Sequence, residues 1–166
     1  MYDIVIVAEK SRYVKSDIVL EFMDRFTTKL SDIAFSRLGL VVYCKYAFPL
    51  MDLDYNFKNL AESYRIIPTL KGTPEPSLGL YEAWEMIHDL DDGLADRKKI
   101  VLIASFAVKP RKPLLDAIKY VKNDDMELHI LSTNTRKPHW LPKDIIEDII
   151  LLKQSGIDKA ITSILS

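Results

Sequence analysis

Residues 99–106 read KIVLIASF, an apolar run with almost no alternation. A strand that is apolar at consecutive positions must be covered on both faces, as strands of a parallel sheet are. Residues 3–8 (DIVIVA) and 38–46 (LGLVVYCKY) have the same character, rich in β-branched side chains. Between such runs the periodicity changes. Val14, Ile18, Phe22, Phe26, Leu30 and Ile33 recur at helical spacing, and so do Leu80, Trp84, Ile87 and Leu90. Strands alternating with helices predict an α/β fold. It is a Rossmann-like three-layer sandwich with a mostly parallel central sheet of about six strands and helices on both faces.

The remaining segments fill in this plan. Ala47–Leu53 continues from the second strand as a short hairpin partner, and Pro49 places it at the sheet edge. A short helix is expected near Asn56–Tyr64, another at Leu114–Lys122, and a strand at Glu127–Ser132. Ile145–Leu152 reads as the last strand, and a C-terminal helix follows Gly156. Neither an internal repeat nor a low-complexity stretch divides the chain, so residues 1–166 are expected to form a single domain.

Several function classes fall away. A net charge of −1 gives no global attraction to nucleic acid, so any electrostatic binding must come from local clustering. The single cysteine, Cys44, lies in an apolar run and reads as a buried, inert thiol. No stretch approaches the ~20 apolar residues of a membrane span. No basic flank marks a signal peptide at the N-terminus, and a cytoplasmic location is expected. The phosphate-binding patterns GxGxxG and GxxxxGK[ST] and the nucleophile elbow GxSxG are all missing. His88 and His129 fall within a helix and a strand and read as structural, and His139 lies in a Pro-flanked loop. Asp52 and Asp54 read as a strand end and a helix cap, Trp84 as core, and Trp140 as a pin for its loop or a contact for a partner. No cofactor and no catalytic residue is expected.

The junction after the first strand reads IVAEKSRY, and later segments read KGTPEPSLGLYEAW, VLIASFAVKP and MELHILSTN. In that order the chain resembles a von Willebrand factor A domain over nearly its full length. The resemblance implies that Ala47–Leu53 is an antiparallel edge strand. It also implies a metal-ion-dependent adhesion site built from Asp-x-Ser-x-Ser after the first strand, a Thr in the second loop, and an Asp followed by Gly after the fourth strand. Here Glu9 and Ser11 stand at the first Asp and Ser, Tyr13 at the second Ser, Thr73 at the Thr, and Ser105-Phe106 at the Asp-Gly. One carboxylate flanked by Lys10 and Arg12 is a poor place for Mg²⁺, which prefers several oxygen ligands in octahedral array. The metal site is therefore expected to be vestigial, with Arg12 or Lys10 pairing with Glu9 in place of the cation.

In an open α/β sheet the loops after parallel strands share one face. Lys10, Arg12, Lys71, Lys109, Arg111, Lys112, Arg136 and Lys137 map there, eight of the chain's 23 lysines and arginines, with Trp140 beside them. The expected function is a non-enzymatic, intracellular protein-interaction module that uses this basic face without a metal. The resemblance implies an adaptor or complex subunit, with AAA-type ATPases among the partner classes. The alternative is a Rossmann-like protein that binds nucleic acid or phosphate through the same loops.

Overall fold

Strand β1 (Tyr2–Glu9) is buried from Asp3 to its end because apolar side chains leave it in both directions. It lies between β2 (Arg37–Tyr43) and β4 (Arg97–Ala104), parallel to both, with Ile6 opposite Leu40 on one side and Val101 on the other. A computed structural model describes residues 1–109 and 111–166, with the backbone alone for Arg111. The sheet has six strands in the order β3-β2-β1-β4-β5-β6, where β3 is Ala47–Asp54, β5 is Glu127–Ser132 and β6 is Ile150–Leu151. Among the described residues β3 alone runs antiparallel, at the edge beside β2, and Pro49 sits on it opposite Val41.

Each face of the sheet carries its own core. Helices α1 (Ser16–Ser31), α2 (Leu60–Ile66) and α6 (Ile157–Leu165) cover one face, where Ile4, Ile6, Leu40 and Val101 meet Phe22, Phe26, Tyr64 and Ile161. Phe22 and Phe26 are one helical turn apart and stack at 5.4 Å. Burying each such ring contributes about 1.5–3 kcal/mol relative to leaving it in water. Helices α3 (Pro76–Asp89), α4 (Arg111–Asn123) and α5 (Lys143–Asp148) cover the other face over Val5, Val7, Tyr43, Ile100 and Leu102. Gly79 lets α3 lie directly on the sheet. A Cβ there would stand 2.4 Å from Val7 Cγ1 and 3.1 Å from Tyr43 Cδ1.

Two expectations need correcting. Ile145–Leu152 is not one strand. Pro142 precedes a helix, Ile145 and Ile149 are buried at i, i+4 spacing while Glu147 and Asp148 are exposed, and only Ile150–Leu151 joins the sheet. The apolar run was too short for periodicity to separate strand from helix. Nor is Lys109–Pro113 wholly a loop, since Arg111–Pro113 already belongs to the first turn of α4, where proline is tolerated. Pro110 lies outside the described residues.

Candidate functional site

Strand order reverses on either side of β1. The crevice beyond the C-terminal ends of β1 and β4 is thus the switch point at which open α/β sheets place ligands. Glu9 ends β1 there and is 1% exposed. The Ser11 hydroxyl donates to its Oε2 at 2.5 Å and the Ser105 hydroxyl at 2.6 Å. The Ser105 amide donates to Oε1 at 3.0 Å. The Tyr43 hydroxyl, on β2, lies 3.3 Å from Oε1 and 3.2 Å from the Ile103 carbonyl oxygen, so its single hydrogen is shared between the two. Burial and the neighbouring Glu9 carboxylate push that phenol well above its usual pKa, which keeps it a donor.

The two serines also hold the loops that carry them. The Ser11 Oγ accepts from the Tyr13 amide at 3.1 Å, and the Ser105 Oγ accepts from the Ala107 amide at 3.3 Å. Each hydroxyl therefore ties a loop to the carboxylate. Between them, Phe106 takes φ +52, a left-handed conformation that an aromatic residue adopts at a cost of about 1–2 kcal/mol. Its ring is buried and meets Trp140 edge-on at 6.3 Å. Trp140 is half-buried and packs against the core, so it pins the 133–142 loop onto the domain.

The flanking cations do not pair with Glu9, contrary to expectation. Lys10 is buried, with its ammonium 4.1 Å from the centre of the Tyr64 ring, and burial lowers its pKa. The Tyr64 hydroxyl donates to the Glu9 backbone carbonyl at 2.7 Å, which holds that ring beneath the lysine. Side chains alternate along an extended chain, so Lys10 turns towards α2 while Glu9 turns towards Tyr43. Arg12 is exposed and folds over its neighbour, donating to the Tyr13 hydroxyl at 2.8 Å. Thr73 is exposed in the loop before α3, and none of the Glu9 hydrogen bonds comes from it. Of the five ligand positions matched to the metal site, the fold brings together Glu9, Ser11 and Ser105 and leaves the side chains of Tyr13 and Thr73 outside. Tyr43 and Tyr64, which the sequence reading missed, complete the cluster.

The other basic residues reach the surface. Lys71, Lys109, Lys112, Arg136 and Lys137 are all exposed, and none belongs to an ion pair among the described residues. They come from the loop before α3, the β4–α4 junction and the loop after β5, all at the end of the sheet where Glu9 lies. Lys10 leaves the proposed surface, and the Arg111 side chain lies outside the described residues. Cys44 is buried, its thiol donating to the Gly72 carbonyl at 3.3 Å, and burial raises its pKa.

Solved structures share this fold. Manganese-loaded TRAP protein of Plasmodium vivax is 12% identical, superimposing with a TM-score of 0.80 over 100% of this chain and 74% of that chain. The pilus adhesin SpaC of Lactobacillus rhamnosus GG, in its open conformation, is 12% identical with a TM-score of 0.76, over 98% of this chain and 30% of that one. The VWA domain of SpRpn10 is 14% identical with a TM-score of 0.75, over 98% and 95% of the two chains. The chain has a von Willebrand factor A fold. No family model and no curated protein matches it in sequence. In this A-type fold the Glu9 cluster occupies the crevice between β1 and β4, and the six-stranded sheet with its antiparallel edge agrees with the expected architecture.

Proposed function

We propose that this A-type fold is a non-enzymatic, metal-independent binding module, an adaptor or complex subunit, whose basic loops engage an acidic protein surface. The observation that carries this reading is the closed state of Glu9. Its carboxylate is buried and accepts hydrogen bonds from Ser11, from Ser105 twice and in part from Tyr43. A divalent cation needs those same oxygens. Among the described residues no group of three His, Cys, Asp or Glu side chains is placed to hold a metal. The residues present do not fit Mg²⁺ or Mn²⁺, which bind through several oxygen ligands. What this end of the sheet offers a partner is its exposed basic loops, whose Lys71, Lys109, Lys112, Arg136 and Lys137 join no ion pair among the described residues.

An adhesin and a manganese-loaded protein among the similar structures support binding as the general use of the fold. Catalysis has less support. The Cys44 thiol is occupied by a backbone carbonyl, and His88 stacks on Trp84 with ring centres 4.8 Å apart. The test is affinity capture at low salt, with co-purifying chains identified. Wild-type protein is compared with a variant carrying Lys109→Glu, Lys112→Glu, Arg136→Glu and Lys137→Glu. Loss of the captured protein from a folded variant supports the reading, and equal capture by both refutes it. Nucleic acid, the alternative partner, would instead show a log-affinity against log-salt slope that flattens by about one unit for each phosphate contact removed.

A further inference from the structure

A second surface, opposite in charge to the basic loops, runs between the edge strand and α3. Leu78, Tyr81, Glu82, Glu85, Met86 and Asp89 recur along α3 at three- and four-residue steps and so form one stripe facing β3. Two hollows of about 440 Å³ and 250 Å³ lie along that stripe and share Glu82 and Glu85, so they form one groove. Its floor and walls are apolar, from Leu53 and Met86 to Tyr46 and Tyr81, and the last two are 70% and 38% exposed. Its rim is acidic. Asp52 on the strand and Glu82, Glu85 and Asp89 on the helix line it, no lysine or arginine does, and none of these four carboxylates joins an ion pair among the described residues.

We propose that this groove binds an extended, basic peptide segment of a protein partner, with apolar side chains entering the hollows and lysine or arginine side chains meeting the rim. The charge sets the class of occupant. Four carboxylates over an apolar floor attract cationic groups and repel acidic peptides and nucleic acid. The shape sets its conformation. The stripe from Leu78 to Leu90 is about 18 Å long at 1.5 Å per helical residue, which matches about five extended residues at 3.3 Å each. Among the described residues β3 pairs with β2 alone, so its outer edge is open to main-chain hydrogen bonds along most of its length, with one donor missing at Pro49. Alternate side chains of a peptide laid along that edge would face the groove.

The experiment uses the full chain and two fluorescent acetylated octapeptides, one alternating lysine with leucine and one alternating glutamate with leucine. The lysine peptide is expected to bind at one site, the glutamate peptide not to bind. Glu82→Lys with Glu85→Lys should weaken binding at least tenfold. Glu82→Gln with Glu85→Gln, which keeps the side-chain shape, should weaken it less. Amide resonances of residues 47–54 should shift on titration, and Lys112→Glu with Lys137→Glu should leave the affinity within twofold, since the basic loops lie elsewhere. Unchanged binding by the folded Glu82→Lys, Glu85→Lys variant overturns the proposal, and so does equal binding of the two peptides. Dimerisation without peptide that the same variant abolishes would also overturn it, because the occupant would then be a second copy of the chain.

Discussion

Strand β1 carries a buried carboxylate near each end, Asp3 and Glu9, both on the same side of the strand, and the two are held differently. Asp3 is met by charge. Buried Arg37, directly opposite on β2, donates to it through Nε at 2.7 Å and Nη2 at 2.8 Å, then reaches Asp92 with Nη1 at 2.9 Å. Nearby on the same end, Lys99 is fully buried, donates to the Ile164 carbonyl at the close of α6, and lies 3.8 Å from Glu127. Glu9 is met by hydroxyls and one amide. Ion pairs join a strand to its neighbour and to the 90–96 loop at one end, whereas neutral donors gather the loops at the other. The chain fastens one end of the sheet electrostatically. At the end where open α/β sheets place ligands, it fills the crevice with its own side chains.

The largest effect is expected at the charged end. Asp3→Ala would leave buried Arg37 with Asp92 as its ion-pair partner among the described residues, and breaking a buried pair costs about 3–5 kcal/mol. Urea unfolding should show that loss in the midpoint, and a loss under 1 kcal/mol would mean that Asp92 alone compensates. Glu9→Ala comes next. It takes the acceptor from the hydroxyls of Ser11 and Ser105 and from the Ser105 amide, at about 1–3 kcal/mol for a group that stays unsatisfied, while the Tyr43 hydroxyl keeps the Ile103 carbonyl. Water entering the vacated space would reduce the loss, and Glu9→Gln, which retains one acceptor oxygen, should cost less than Glu9→Ala.

A smaller effect concerns pH. His129 lies on β5 near Lys99, Arg97 and Glu127, and burial, reinforced by the Lys99 charge, lowers its pKa from 6.5. Above that value the ring is neutral in the folded and unfolded chains alike. Below it the unfolded chain takes the proton more readily, so stability falls with decreasing pH until the folded ring is also protonated. Unfolding midpoints of wild type and His129→Asn should therefore converge between pH 7.5 and 5.5, and parallel curves would remove His129 from the acid sensitivity of this end. The smallest effect is at Glu9 itself. Millimolar Mg²⁺ or Mn²⁺ should leave the melting temperature within about 1 °C, since a ligand that binds the folded state alone raises it. A rise of several degrees that Glu9→Ala abolishes would show the neutral donors giving way to a cation.

The fold was legible because it rests on periodicity. The runs at 3–8, 38–46 and 99–106 hold β1, β2 and β4, although Cys44–Tyr46 and Ser105–Phe106 lie in the loops that follow, and Pro49 marked the edge correctly. Ile145–Leu152 failed because eight residues hold only two helical turns, too few for the apolar pattern to choose a period. At the site, Glu9, Ser11 and Ser105 were singled out through the family resemblance, and strand order makes the ends of β1 and β4 neighbours. Side-chain direction was not legible. Lys10 and Glu9 are adjacent in sequence, yet one turns to Tyr64 and the other to Tyr43. The clue available was a tyrosine ending the strand beside β1, whose length suits it to span from β2 towards β4. The exposed state of Thr73 depends on the path of its loop, which local sequence does not determine.

The chain contains two tryptophans, and their packing separates them. Trp140 meets Phe106 at the end of the sheet that carries the basic loops. Trp84 lies on α3, stacked on His88 with its indole N–H on Asp124 at 2.7 Å, next along the helix to Glu85 of the groove. A chain with one indole beside each surface carries its own pair of optical probes. With Trp84→Phe the emission would come from the loop end alone, and with Trp140→Phe from the helix alone. Occupancy of either surface could then be followed by light without attaching a dye.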